Sequence, residues 1–134
     1  MYLEWNETYS VGIKTFDDEH KILFGLINNL HTGIKEKRNH QAIGETLSGL
    51  VTYVKLHFKS EEETMLKYAY PDYQTHKEEH DAFAARANVL YERFQKDEAV
   101  LSAEVLRFLV DWLHKHLNGT DKLYTKFLTD KGVK

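Results

Sequence analysis

Two pairs of metal-binding side chains occur at a spacing that suits a helix. His57 and Glu61 are four residues apart, and so are His76 and His80. Residues four apart in an α-helix lie on one face about 6 Å apart, so both side chains of a pair can reach the same point. Imidazole and carboxylate groups are common ligands of first-row transition metals. Each pair alone is a weak indication, because such short patterns also arise by chance.

The pairs gain weight because they lie on apolar helical faces. In residues 50–66, Leu50, Val54 and Met65 share a face with His57 and Glu61. A face of this kind packs against the core, where an unpaired charge costs several kcal/mol. An imidazole and a carboxylate that face the core therefore need a partner, and a metal ion would provide one.

Four amphipathic patterns predict the elements that position these side chains. The first follows an N-terminal arm of residues 1–16, and Asp17 or Asp18 is expected to cap it. The second and third patterns cover about 41–67 and 72–96. The fourth begins at "LSAEVL" and ends at an Asn-Gly pair.

The patterns favour an all-α fold, an antiparallel up-down-up-down four-helix bundle with short connections. We expect residues 1–134 to form a single domain, in which residues 17–129 are the bundle and a last short turn. Thr120 is expected to cap that turn.

This topology brings the unusual side chains together. The first and third helices begin at the end of the bundle where the second and fourth helices finish. Seven inward-facing donors occur at that end, and they are His20, His57, Glu61, His76, His80, His116 and Asp121. The opposite end has only apolar seams.

Five imidazoles and two carboxylates are too many ligands for one ion, since a closed zinc site takes four. They suit two first-row ions bridged by the carboxylates, because a carboxylate offers two oxygens and an imidazole one nitrogen. Five histidines must then divide three and two. With one further bridging oxygen from water, one ion is six-coordinate and the other five-coordinate. The open position, beside an apolar wall, suits a small neutral molecule.

Composition excludes several other classes of protein. The chain has 134 residues, of which 42% are hydrophobic and 29% are charged, as in soluble globular proteins. The net charge of -3 gives no general attraction to nucleic acid. There is no cysteine, which excludes disulfides and thiolate ligands, and no apolar run long enough for membrane insertion. We expect a soluble, cytoplasmic monomer.

Three other histidines are not expected to join the cluster. His31 lies eleven residues after His20, a rise of about 16 Å along a helix. His114 points away from His116, and His40 lies in a polar turn.

The complete pattern resembles a known family. The segments "VGIKTFDDEHK", "HFKSEEETM", "HKEEH" and "WLHKHLNGTD" resemble the hemerythrins, and especially the single-domain bacterial ones. The resemblance runs from Trp5 to about Tyr124. It implies a non-haem di-iron centre in a four-helix bundle that binds O2 reversibly. One departure is the "LNGT" between His116 and Asp121, where relatives usually have an uninterrupted helix-favouring stretch.

The resemblance also implies roles for individual positions. Carried over by position, His76, His80 and His116 would hold the coordinatively saturated iron. His20 and His57 would hold the five-coordinate iron. Glu61 and Asp121 would bridge the two ions together with an oxo or hydroxo group. An apolar wall that keeps bulk water from the O2 site would comprise Leu23, Phe58, Trp112, Leu113 and Leu117.

The function implied is O2 binding for oxygen transport, storage or delivery to oxygen-consuming enzymes, without enzymatic activity as the main role. Two alternatives use the same centre. One is an oxygen, redox or iron sensor, and the other is a di-iron enzyme such as a peroxidase or nitric oxide scavenger. Ferritin-like di-iron oxidases are disfavoured, because they carry paired ExxH motifs, and only Asp17–His20 comes close here.

Overall fold

The computed structural model describes residues 2–134, and its elements are helical throughout that range. The α-helices are α1 (Lys14–Lys35), α2 (Asn39–Lys67), α3 (Tyr73–Gln95), α4 (Ser102–Trp112) and α5 (Thr125–Asp130). Helix α1 packs on α2 and α4, and α2 also packs on α3. This arrangement confirms the predicted all-α bundle. Within residues 2–134, none of the helices combines the length and apolar character needed to cross a bilayer.

Two apolar clusters enclose the end of the bundle that carries the histidines. The larger one fills the space between α1, α2, α3 and α4, and on α2 it includes Leu50, Tyr53 and Phe58. The smaller one joins the arm to the last helix, and on α2 it includes Met65. His57 and Glu61 lie on α2 between these two clusters. The predicted metal-binding end is therefore covered by apolar side chains on both sides.

The start of α1 differs from the prediction. The helix begins at Lys14, and no side chain caps it. Asp17 is instead inside the first turns, where its carboxylate accepts hydrogen bonds from Ser10 Oγ at 2.6 Å and from the Val11 backbone N–H at 2.8 Å. Asp18 is paired with Lys14 on the surface. The proposed caps were wrong because Asp17 binds the arm, which ends at residue 13 rather than 16. The single-domain assignment stays a prediction.

The chain between His116 and Asp121 is built from two unusual turns. The helix continues beyond α4 as a π-helical turn, Leu113–Leu117, which the Asn118 N–H closes by donating to Leu113 O at 2.9 Å. A 3-10 turn, Thr120–Tyr124, follows. Between them, a Cβ on Gly119 would lie 2.5 Å from the Lys115 carbonyl oxygen. The glycine in "LNGT" is thus needed for a close backbone approach.

The prediction that Thr120 caps this turn was wrong. The cap position is occupied by Gly119, which has no side chain to accept a hydrogen bond. The Thr120 hydroxyl donates instead to Glu79 Oε1 of α3 at 2.9 Å. The hydroxyl does not cap the turn because it is hydrogen-bonded to Glu79 of another helix.

Candidate metal centre

The structure brings all seven predicted donors together. They come from α1, α2, α3, the π-helical turn and the 3-10 turn, and none is more than 2% exposed. They form two groups whose ligand atoms lie within 4.8 Å of one another, with Glu61 and Asp121 in both. The first group adds His76, His80 and His116, and is called the three-histidine set. The second adds His20 and His57, and is called the two-histidine set.

In the three-histidine set, each Nε2 atom faces an oxygen of at least one of the two shared carboxylates. His80 Nε2 lies 3.1 Å from Glu61 Oε1, and His116 Nε2 lies 3.0 Å from Asp121 Oδ1. His76 Nε2 lies between the two carboxylates, 3.3 Å from Glu61 Oε1 and 2.9 Å from Asp121 Oδ1. The spacing of four between His76 and His80 puts both rings on one face of α3.

The two-histidine set uses the other oxygen of each carboxylate. His57 Nε2 lies 3.2 Å from Glu61 Oε2. His20 Nε2 lies 3.1 Å from Asp121 Oδ2 and 3.5 Å from Glu61 Oε2. Each carboxylate therefore turns one oxygen to each set. This is the arrangement of two bridging carboxylates between two cation positions.

The donor atoms are arranged as ligands of metal ions rather than as hydrogen-bond partners of one another. The Nε2 atoms of His20, His57, His80 and His116 and both Asp121 oxygens are buried without a hydrogen-bond partner among the described residues. Buried polar atoms are normally paired. Adjacent ligands of an ion with bonds of about 2.1 Å lie about 3 Å apart at right angles, close to the separations found here. The residues present thus fit a pair of first-row ions.

The carboxylates also supply charge for cations. Burial alone would raise the pKa of Glu61 and of Asp121. The neighbouring histidines, His57 and His20 for Glu61 and His116 and His20 for Asp121, hold both pKa values well below the ordinary range. Both groups therefore stay ionised in the interior, as bridging ligands must.

The same contacts raise the pKa of the imidazoles. Burial lowers the pKa of His57, but the charge of Glu61 and a hydrogen bond to Glu19 raise it to about 10. Burial likewise opposes protonation of His76, while Asp121 and Glu61 raise its pKa to about 9. Metal ions would replace these protons, because a ligating imidazole must be neutral.

Three further carboxylates bind the outer nitrogens of the histidines. Glu19 Oε1 lies 2.7 Å from His57 Nδ1, and Glu62 Oε2 lies 2.7 Å from His80 Nδ1. Glu79 Oε1 lies 2.8 Å from His116 Nδ1. An Nδ1–H that donates to a carboxylate fixes the ring and leaves Nε2 free for a metal.

Sequence reasoning missed these three carboxylates. Each of them is a neighbour in sequence of a donor: Glu19 precedes His20, Glu62 follows Glu61, and Glu79 precedes His80. That adjacency was the available signal.

Tyr124 is a second omission. Its hydroxyl donates to Glu61 Oε2, and the side chain is fully buried. Residues three apart in a 3-10 helix lie above one another, so Asp121 and Tyr124 project from the same side of their turn. This spacing could have indicated Tyr124.

The predicted apolar wall lies in the main core cluster, next to the donors. Leu23, Phe58, Leu113 and Leu117 are buried, and Trp112 is partly buried. The Phe58 ring stacks on His80 with centroids 3.8 Å apart, and Trp112 stacks on His116 at 3.8 Å. Two of the five side chains therefore hold rings of the three-histidine set. The role of the wall at an O2 site stays a prediction.

The other three histidines lie outside the centre. His31 stacks on Tyr2 at 4.0 Å, and His40 stacks on Phe94 at 4.8 Å. His114 is exposed. His40 lies in the first turn of α2 rather than in the predicted polar turn, and none of the three histidines belongs to either set of donors.

Comparisons with known proteins agree with this geometry. Residues 11–128 match the family described as hemerythrin HHE cation binding domain. The chain is 41% identical to the bacteriohemerythrin of Methylococcus capsulatus over 116 residues, which are 87% of this chain and 88% of that protein. It is 35% identical to the myohemerythrin of Theromyzon tessulatum over 121 residues, 90% of this chain and 89% of that one. A crystal structure of wild-type hemerythrin superposes with a TM-score of 0.86 and 35% identity, covering 96% of this chain and 99% of that one.

Proposed function

Because the chain belongs to the hemerythrin family, we propose that its buried centre holds two iron ions and binds O2 reversibly. One observation carries the proposal. Glu61 and Asp121 each turn one oxygen to the three-histidine set and the other oxygen to the two-histidine set. An unequal division of this kind equips one ion with a protein ligand fewer than its neighbour.

The residues would divide the ligands as follows. His76, His80 and His116 with the two carboxylates supply five donors to one ion, and His20 and His57 with the same carboxylates supply four donors to the other. A pair of ferrous ions would supply the two electrons that O2 accepts. The small ligand would be bound on the side of the two-histidine set, where the protein leaves more of the coordination sphere free.

The chain's other contribution is to keep the centre dry and rigid. The seven donors are buried, and apolar clusters lie on both sides of them. Glu19, Glu62 and Glu79 fix three of the five imidazole rings. Tyr124 donates to Glu61 and so holds that carboxylate in place. Exclusion of water and protons favours release of the ligand as O2 over its loss in a reduced, protonated form.

We propose oxygen transport, storage or delivery as the physiological role. Membership of the family supports a binding protein rather than an enzyme, and the lack of significant turnover stays a prediction. A cytoplasmic location and a monomeric state are likewise predictions.

Anaerobic loading tests the proposal. The chelator-treated protein is loaded with ferrous iron without air, and its absorption spectrum is recorded before and after O2 is admitted and then removed. We expect a visible band that forms in air and disappears when O2 is removed, over several cycles. Irreversible bleaching, with steady consumption of an added reductant, would contradict reversible binding and favour a di-iron enzyme.

A further inference from the structure

Tyr53 carries a buried hydroxyl that has no partner in the part of the chain that the structure describes. The side chain is 1% exposed, and its oxygen makes no hydrogen bond within residues 2–134. Leaving a buried hydroxyl unpaired is unfavourable, and phenylalanine would fill the same space without that cost. A tyrosine here suggests a partner that is not part of the protein.

The hydroxyl belongs to a side chain that contacts the two-histidine set. Tyr53 lies one turn before His57 on α2, and its ring stacks on the His57 ring with centroids 5.3 Å apart and planes at 17°. It also lies against Phe58, with centroids 6.3 Å apart. Tyr53 is thus next to the ion position that has fewer protein ligands, among side chains of the apolar wall.

A second unpaired polar group lies beside it. The Trp112 indole Nε1 is buried without a hydrogen-bond partner among residues 2–134, and its ring lies 5.7 Å from that of Phe58, which Tyr53 also contacts. A tyrosine phenol has an ordinary pKa of about 10, so Tyr53 is protonated at neutral pH and has a proton to donate.

The hydrogen-bonding chemistry of Trp112 and Tyr53 shows that the Tyr53 O–H must act as a donor. An indole N–H only donates, so Trp112 can at most donate to the Tyr53 oxygen. The O–H of Tyr53 then still lacks an acceptor. A bound small molecule that is not part of the protein can supply that acceptor.

We propose that Tyr53 is a positioning residue, whose hydroxyl donates a hydrogen bond to the small ligand bound on the side of His20 and His57. This inference rests on the proposed function. The ligand class is a small molecule or anion with a terminal lone pair, for which O2 and azide are the probes. The hydroxyl slows dissociation of the bound small molecule, and it does not itself coordinate a metal ion.

Tyr53→Phe tests this role, because it removes one oxygen atom and keeps the ring. The matched control is Thr46→Val on the same helix, since the Thr46 hydroxyl is also buried and has no hydrogen-bond partner among the described residues. Thr46 lies eleven residues before His57, about 16 Å along the helix. For each iron-loaded variant, the O2 dissociation rate is measured by stopped flow and the azide affinity of the ferric protein by absorbance. The thermal midpoint of each chelator-treated protein is the readout of structure.

We expect Tyr53→Phe to raise the O2 dissociation rate and weaken azide binding by about 2- to 10-fold, as loss of one hydrogen bond would. Thr46→Val should change neither. Neither variant should lower the thermal midpoint of the chelator-treated protein, because both hydroxyls are unpaired within the fold.

Two results would overturn the inference. One is a Tyr53→Phe protein whose O2 dissociation and azide affinity equal those of the wild type. The other is a lowered thermal midpoint with unchanged ligand binding, which would make the hydroxyl structural. If the wild-type protein binds azide but not O2, the proposed function fails, and the azide affinities of the variants still decide the role of Tyr53.

Discussion

Glu79 and His116 are joined by a hydrogen bond that also fixes the neighbouring turn. Glu79 Oε1 accepts from His116 Nδ1 at 2.8 Å and from the Thr120 hydroxyl at 2.9 Å. One oxygen on α3 therefore binds both the π-helical turn that carries His116 and the 3-10 turn that carries Asp121. Because Asp121 is shared by the two sets, this contact supports both ion positions.

Removal of this carboxylate should weaken metal binding. We expect Glu79→Ala to lower the affinity for ferrous iron by about 10- to 100-fold, the usual cost of losing a group that orients a ligating histidine. Glu78→Ala is the matched control, because Glu78 is the exposed residue beside it. Competition with a chelator measures both affinities. Equal retention of iron by the two variants would show that Glu79 does not support the centre.

A second prediction concerns the close backbone approach at Gly119. A Cβ there would lie 2.5 Å from the Lys115 carbonyl oxygen, so Gly119→Ala must displace the chain that leads to Asp121. We expect a loss of about 1–3 kcal/mol in the free energy of unfolding and weaker iron binding. Denaturant unfolding and iron analysis measure the two effects.

Gly25→Ala is the control for this substitution. Gly25 lies inside α1, and a Cβ there would meet nothing within 4 Å. Alanine should stabilise the helix by about 0.5–1 kcal/mol. If Gly119→Ala were as stable as Gly25→Ala and retained its iron, the account of this turn would be wrong.

A third prediction concerns the apolar wall. Leu117 is 2% exposed and directly follows the donor His116. We expect Leu117→Asp to shorten the lifetime of the oxygenated protein, because a buried carboxylate attracts water and protons to the centre. Leu117→Met keeps an apolar side chain of similar volume and should leave the lifetime close to that of the wild type. The decay of the visible band in air measures the lifetime of the oxygenated protein. Circular dichroism verifies that each variant is folded. An unchanged lifetime in a folded Leu117→Asp protein would remove Leu117 from the wall.

The sequence was sufficient for features that follow from the regular helical period. The pairs His57–Glu61 and His76–His80 could be placed on inward faces, because one turn of an α-helix repeats after about 3.6 residues. The up-down topology then predicted that donors from distant segments share one end. Both inferences depend on local periodicity and short connections alone.

What the sequence did not show depends on contacts between elements. The charges of Glu19, Glu62 and Glu79 are ordinary for a helix surface, and only packing decides that each one meets an imidazole nitrogen. Aspartate is a common helix N-cap residue, yet the partners of Asp17 are in the preceding arm. The π-helical turn changes the hydrogen-bond register without any diagnostic residue, so the "LNGT" segment could be recognised only as an interruption.

Anomalous-scattering crystallography of the iron-loaded protein, at the iron absorption edge, tests the central claim most directly. The account predicts two iron peaks per chain. One should be bound by His76, His80 and His116 and the other by His20 and His57, with Glu61 and Asp121 bound to both. A single peak, or an imidazole from either set directed into bulk solvent, would contradict it.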